Sequence, residues 1–191
     1  MRILVIDAHP DAGSYCDALA RSYVEGARSG GHDVRCLRLR DMRFDPVLHG
    51  GFASPQPLEP DLARARDAVR WCRHLVIVTP CWWWSVPALL KGFVDRVFLP
   101  GFGVDYLEGF PYVRKLLKGR SARVVYTQNA PQWLAVLARG DLFWKYVRRA
   151  FLRHCGFRPV RRTVVAGPGR ASAAEREEWL QKVRRLGVRG R

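Results

Sequence analysis

The stretch LVIVTPCWWWSVPALLKGFVDRVF, residues 75–98, decides how the rest of the chain is read. Leu75 to Val78 is an apolar run short enough to be one buried strand, which Thr79-Pro80 is expected to break. Three tryptophans follow, Trp82, Trp83 and Trp84. Ser85 is placed to cap the next helix, with Pro87 in its first turn, where a missing N–H does no harm. Leu90, Phe93, Val94, Val97 and Phe98 then recur at helical spacing and form one apolar stripe. Taken alone, the indoles read as core filler. Three consecutive residues in a turn cannot all point inward, so at least one should line a cleft or meet another chain.

Outward from this stretch, the same alternation repeats. Ile3 to Ile6 is a second continuous apolar run, hence a central strand. Asp7 to Gly13 is a turn, and Ser14 with Asp17 opens a helix that buries Leu19, Ala20, Tyr23, Val24 and Ala27 and ends at Gly30-Gly31. Val34 to Leu39 carries Arg35 and Arg38, as an edge strand would. Residues 44–60, with Pro46, Pro55, Pro57 and Pro60, read as an ordered loop. Leu62, Ala65, Val69 and Cys72 mark the helix that feeds Leu75.

Beyond Phe98, LPGFGVDYLEGFPY shows no clear period. Arg120 to Tyr126 is a further strand, and Thr127 to Pro131 the loop that leaves it. A long helix runs from Phe143 to His154, closed by Gly156. Val160 to Val165 is an arginine-bearing edge strand, and Ser172 with Glu175 forms a capping box for a last helix burying Trp179, Val183 and Leu186.

Five strands alternating with helices imply a parallel α/β sheet with right-handed crossovers and helices on both faces. Arginines mark strands two and five as edges, which fits the doubly wound flavodoxin-like order 2-1-3-4-5 in a single domain spanning 1–191. Ligands in such sheets sit at the switch point between strands one and three, beside His9–Ser14 and Pro80–Trp84.

Composition narrows the function. The 191 residues, 48% of them hydrophobic, suit one globular domain. No run reaches the length of a membrane span, and the N-terminus reads as a strand and not as a signal peptide, so a cytoplasmic protein is expected. The five cysteines and five histidines are scattered, so no disulfide framework and no metal centre is expected. Neither GxGxxG nor GxxxxGK[ST] occurs, which disfavours a dinucleotide Rossmann site or a P-loop. The net charge of +16 comes from 33 basic and 17 acidic residues spread along the chain. With no accompanying nucleic-acid motif, it reads as compositional bias that also favours a phosphate-bearing ligand.

Three loops therefore converge. Backbone N–H groups at the Ser14 helix start suit a phosphate. The tryptophan run offers an aromatic wall. Tyr126 to Ala130 offers a polar edge through Gln128 and Asn129. Together they describe a flavin site.

With AHPDAGSYCDAL, TPCWWWSVPALLKGFVDRVFLPGFGVDY, GRSARVVYT and HCGF in place, the chain resembles the NAD(P)H:quinone oxidoreductase family of flavodoxin-like flavoproteins. The resemblance covers most of the chain and is most specific in the tryptophan segment. It implies a homodimer, bound FAD or FMN, and ping-pong transfer of hydride from NAD(P)H through the flavin to a quinone or similar small-molecule acceptor. It assigns His9, Ser14 and Tyr15 to the flavin phosphate and ribityl chain. Pro80, Cys81, Trp82, Trp83 and Trp84 fall against the isoalloxazine, and Thr127, Gln128 and Asn129 at its pyrimidine rim. Phe102 and Tyr106 fall in a segment that in relatives reaches the partner subunit's site.

Some positions depart from the family. Cys16 stands where relatives have Asn, Trp82 where many have Gln, and Gln128-Asn129 where they have Gly-Gly. The Tyr and His of the mammalian-type enzymes lack counterparts, and Trp133 and Arg139 lie nearby on the substrate side. A chain shorter than the FAD-binding relatives leaves FMN open. Loss of that Tyr and His, with the basic surface, also motivates a second reading: a regulatory flavoprotein subunit of a membrane transporter such as a potassium efflux system, associated peripherally with the membrane. A nucleic-acid binder rests on charge alone.

Overall fold

The computed structural model describes residues 1–54, 56–107 and 113–191. The chain runs β1 (Arg2–Asp7), α1 (Tyr15–Ser29), β2 (Asp33–Arg38), α2 (Pro60–Trp71), β3 (His74–Pro80) and α3 (Ala88–Val97), then a short antiparallel pair, β4 (Val104–Tyr106) and β5 (Val113–Lys115). It continues with β6 (Ser121–Gln128), α4 (Gln132–Leu137) and α5 (Leu142–Lys145), which passes through a π turn at Tyr146–Leu152 into α6 (Arg153–Cys155), then β7 (Val160–Ala166) and α7 (Ala173–Val188). The five-stranded sheet has the order β2-β1-β3-β6-β7, with every pairing parallel, which is the flavodoxin-like order expected. Among the described residues, no helix is long and apolar enough to cross a membrane.

The central strands bury both faces. Ile3, Val5, Val76, Val78 and Val125 pack under α1 and α7, while Leu4, Ile6, Leu75, Ile77, Val124 and Tyr126 face α2, α3 and the π turn. The arginine-bearing strands lie at the edges, where their charged residues reach water.

Three expectations change. Thr79-Pro80 does not break β3, whose seven residues are all buried. Proline costs the ladder nothing as the last residue of the strand, because the next N–H, that of Cys81, bonds the Thr127 carbonyl at 2.8 Å. Likewise β6 runs on to Gln128 through pairing with β7, so Thr127 and Gln128 are strand residues and the loop begins at Asn129. Ser85 does not cap α3. Its N–H and carbonyl are both bonded to Trp82 at 2.9 Å, so Pro87 is left at the N-cap.

Four elements were not expected: the turn at Leu39–Asp41, the β4–β5 pair, α4 and the π turn. Pro55, and residues 108–112 of the aperiodic segment, lie outside the described residues.

The KGFVDRVF motif holds the loop between β2 and α2. A Cβ on Gly92 would lie 2.4 Å from Pro46 Cβ, so only glycine admits the loop against α3. Arg96, fully buried, donates to the Asp45 and Pro57 carbonyls and to Glu59, its Nη2 reaching Glu59 Oε2 at 2.7 Å.

Helices α1 and α7 approach backbone to backbone. A Cβ on Gly26 would meet the Arg184 carbonyl at 2.1 Å, and one on Gly187 the Tyr23 carbonyl at 2.3 Å. Gly26→Ala should therefore cost about 1–3 kcal/mol through overpacking, measurable as a lowered denaturant midpoint at unchanged slope.

His74, at the start of β3, is 3% exposed, with Nδ1 2.7 Å from Ser121 Oγ. Burial first, then the cations Arg123 and Arg161, push its pKa down to about 4. The unfolded imidazole takes a proton near pH 6.5, which the folded one refuses until about 4. Stability should fall by about 3 kcal/mol as pH drops across that window. His74→Gln should flatten this slope in urea titrations run at successive pH values.

Candidate functional site

The carboxyl ends of β1, β3 and β6 bring the three loops into contact. The His9 ring meets Trp82 edge-on, with centroids 5.5 Å apart, joining the first loop to the second. Cys16 Sγ lies 3.4 Å from Thr127 Oγ1, joining the start of α1 to the end of β6. The Cys81–Thr127 backbone bond joins the second loop to the third.

In the first loop, the Asp11 N–H donates to His9 Nδ1 at 3.0 Å, and the Gly13 N–H to Asp11 Oδ1 at 3.1 Å. Ser14 caps α1 by accepting the Asp17 N–H on Oγ at 3.2 Å. Among the described residues, none accepts from the N–H groups of Ala12, Tyr15 or Cys16. Three free amides and the Ser14 hydroxyl form a donor set that suits an anion. The Tyr15 ring turns elsewhere: its phenol donates to the Arg176 carbonyl at 2.6 Å and ties α1 to α7.

The second loop is a tight reverse turn from Trp82 to Ser85. Trp83 and Trp84 have φ of 52° and 60°, left-handed backbone that costs a residue with a Cβ roughly 1–2 kcal/mol. Two adjacent bulky residues are so held, and such strain gathers at ligand sites. The Trp83 side chain is 97% exposed, Trp82 partly exposed and Trp84 half-buried.

The thiols are quiet. Burial pushes Cys16 up to about 12 and Cys81 up to about 11, so neither is a thiolate nucleophile at neutral pH. In the third loop, Gln128 Nε2 donates to the Ala130 carbonyl at 2.9 Å and to Gln132 Oε1 at 3.1 Å. Its amide thus shapes the loop, and Asn129 is the exposed amide. Trp133, on α4, and Arg139 are exposed on the segment that follows.

The structure places Phe102 in this chain's own core, 3% exposed beneath the guanidinium groups of Arg66 and Arg70, 4.9 and 5.1 Å from its ring centre. Tyr106, on β4, is 56% exposed.

Sequence reasoning missed one group under the first loop. Arg40 bridges Asp7, at the end of β1, and Asp17, in the first turn of α1. Its spacing carries no signature. The only hint is an acid, Asp7, ending a buried apolar run.

Known proteins resemble this chain in sequence and fold. A ribosyldihydronicotinamide dehydrogenase-like protein, traD, of Penicillium crustosum is 30% identical over 66% of this chain and 57% of its own length. The ribosyldihydronicotinamide dehydrogenase [quinone] of Rattus norvegicus is 25% identical over 97% of this chain and 91% of its own. The solved structure of Smu.1420 from Streptococcus mutans UA159 superposes with a TM-score of 0.83 at 28% identity, covering 99% of this chain and all of that one. The flavodoxin-like fold family matches residues 1–186, and the chain belongs to it.

Proposed function

We propose that this protein is a flavin-dependent NAD(P)H oxidoreductase that passes hydride to a quinone or similar electrophilic acceptor in ping-pong fashion. The observation that carries the reading is the three-loop junction, where free amides, a strained pair of tryptophans and a polar loop meet within contact distance. Relatives named as quinone-dependent dehydrogenases support the reaction class.

The donor set fits FAD or FMN. The amides of Ala12, Tyr15 and Cys16, with the Ser14 hydroxyl and the His9 ring, would hold the phosphate. Trp82 and Trp84 would wall the ring, and Asn129 would meet its pyrimidine edge. The N–H groups of Trp83 and Trp84, bonded to no backbone carbonyl among the described residues, suit the polar rim of the same ring. When bound, the flavin supplies the redox chemistry, accepting and releasing hydride. The chain's part is to hold that ring, shut water from one face and leave the other to the nicotinamide and the acceptor in turn.

Trp133 and Arg139 stand on the acceptor side. Exposed Tyr106 suits a contact across a homodimer, so we read the working form as two copies. Five free cysteines suit the reducing cytoplasm.

The purified protein should be yellow, release FMN or FAD on denaturation, and oxidise NAD(P)H when menadione is added. Colourless protein that binds neither flavin on titration and leaves NAD(P)H unoxidised would overturn the reading. Trp83→Asn, which tolerates left-handed backbone, should stabilise the flavin-free protein by about 1 kcal/mol, since the exposed indole contributes no packing. Denaturant midpoints measure the gain.

A further inference from the structure

Two carboxylates lie under the loop that offers its amides to an anion, which is the wrong sign for such a place. Asp7 is 1% exposed, and its Oδ1 accepts the His9 N–H at 3.2 Å. Asp17 is 2% exposed, and its own N–H is the one that Ser14 Oγ receives. Each acid is thus bonded to one end of the His9–Ser14 segment. Uncompensated, they would repel both an incoming phosphate and each other.

One guanidinium bridges the two acids. Arg40, in the turn that follows β2, donates from Nη1 to Asp7 Oδ2 and from Nη2 to Asp17 Oδ1, the latter at 2.5 Å. Its side chain is only 11% exposed. Asp17 also receives Arg21 at 3.1 Å and Arg38 at 3.9 Å, but both of these are solvent-exposed, and neither reaches Asp7. Asp41 lies 3.8 Å from Arg40 Nε at the solvent edge. Among the described residues, Arg40 alone therefore ties the strand end, the helix start and the following turn together. Its planar fork makes the two-armed bridge that a point charge such as an ammonium cannot.

We propose that Arg40 is a positioning residue for the phosphate of the bound flavin: by clamping Asp7 and Asp17 it fixes the two ends of the His9–Ser14 loop and offsets part of their charge beneath the amides. The inference rests on the reading of that loop as a flavin phosphate cradle. It predicts that Arg40 matters for the phosphate and not for the ring.

The test titrates FMN and riboflavin separately into full-length, flavin-free protein, following flavin fluorescence. The two ligands share the ring and differ in the phosphate. Arg40→Met should weaken FMN by at least tenfold and riboflavin by less than twofold, so the ratio of their affinities collapses. Arg40→Lys should recover only part of that ratio. General damage to the fold would lower both ligands together and leave the ratio in place.

If Arg40→Met does not fold, Arg40→Lys carries the test, with the ratio expected to fall several-fold. An unchanged ratio in the folded variants would overturn the inference while the flavin reading stands. Wild-type protein that binds none of FMN, FAD and riboflavin would overturn the flavin reading, and this inference with it.

Discussion

Thr127 is the residue on which the candidate site turns. Its carbonyl receives the Cys81 N–H, and its hydroxyl sits against the Cys16 thiol. One buried residue near the end of a central strand therefore keeps the tryptophan turn and the start of the first helix level with each other. A parallel sheet delivers the right strand ends to one edge, yet it does not set their heights. The extra pairing of Pro80 with Thr127, and of Gln128 with Ala166, does so by carrying the ladder past the apolar runs.

Height matters because the tryptophan turn is held at an energetic cost. Two left-handed indole-bearing residues persist only where their surroundings leave the backbone no alternative. Here the reciprocal Trp82–Ser85 bonds close the turn at one end, and the Cys81–Thr127 bond anchors the other. The result is a stiff ledge whose backbone and ring faces are set before any ligand arrives, which lowers the entropy lost on binding.

The sheet order was legible because two physical signals agreed. Apolar runs marked the centre and arginines on strands two and five marked the edges, although Arg123 lies buried on central β6, where it donates to Thr163 Oγ1. What stayed hidden was information of other kinds. Thr79-Pro80 looks like a strand end by local preference, but the neighbouring strand overrides that preference. Ser85 is a good cap whose backbone was already committed to Trp82. Short elements such as β4, β5 and α4 are too brief to show a period, and the π turn shares the apolar pattern of an ordinary helix. At the site, the loops could be named from their residue types. The inward turn of the Gln128 amide, the Tyr15–Arg176 tether and the internal place of Phe102 all depend on partners distant in sequence. Arg40 was invisible for the same reason.

The glycine seam between the first and last helices has a wider consequence. Because α1 lies directly on the α7 backbone, and the Tyr15 phenol ties its opening turn to Arg176, α7 serves as the foundation of the His9–Ser14 loop. Nothing in α7 needs to touch a ligand for its sequence to govern one. A bulky residue at Gly187 would lift α1, and the disturbance would surface at the other end of that helix, in the His9–Ser14 loop.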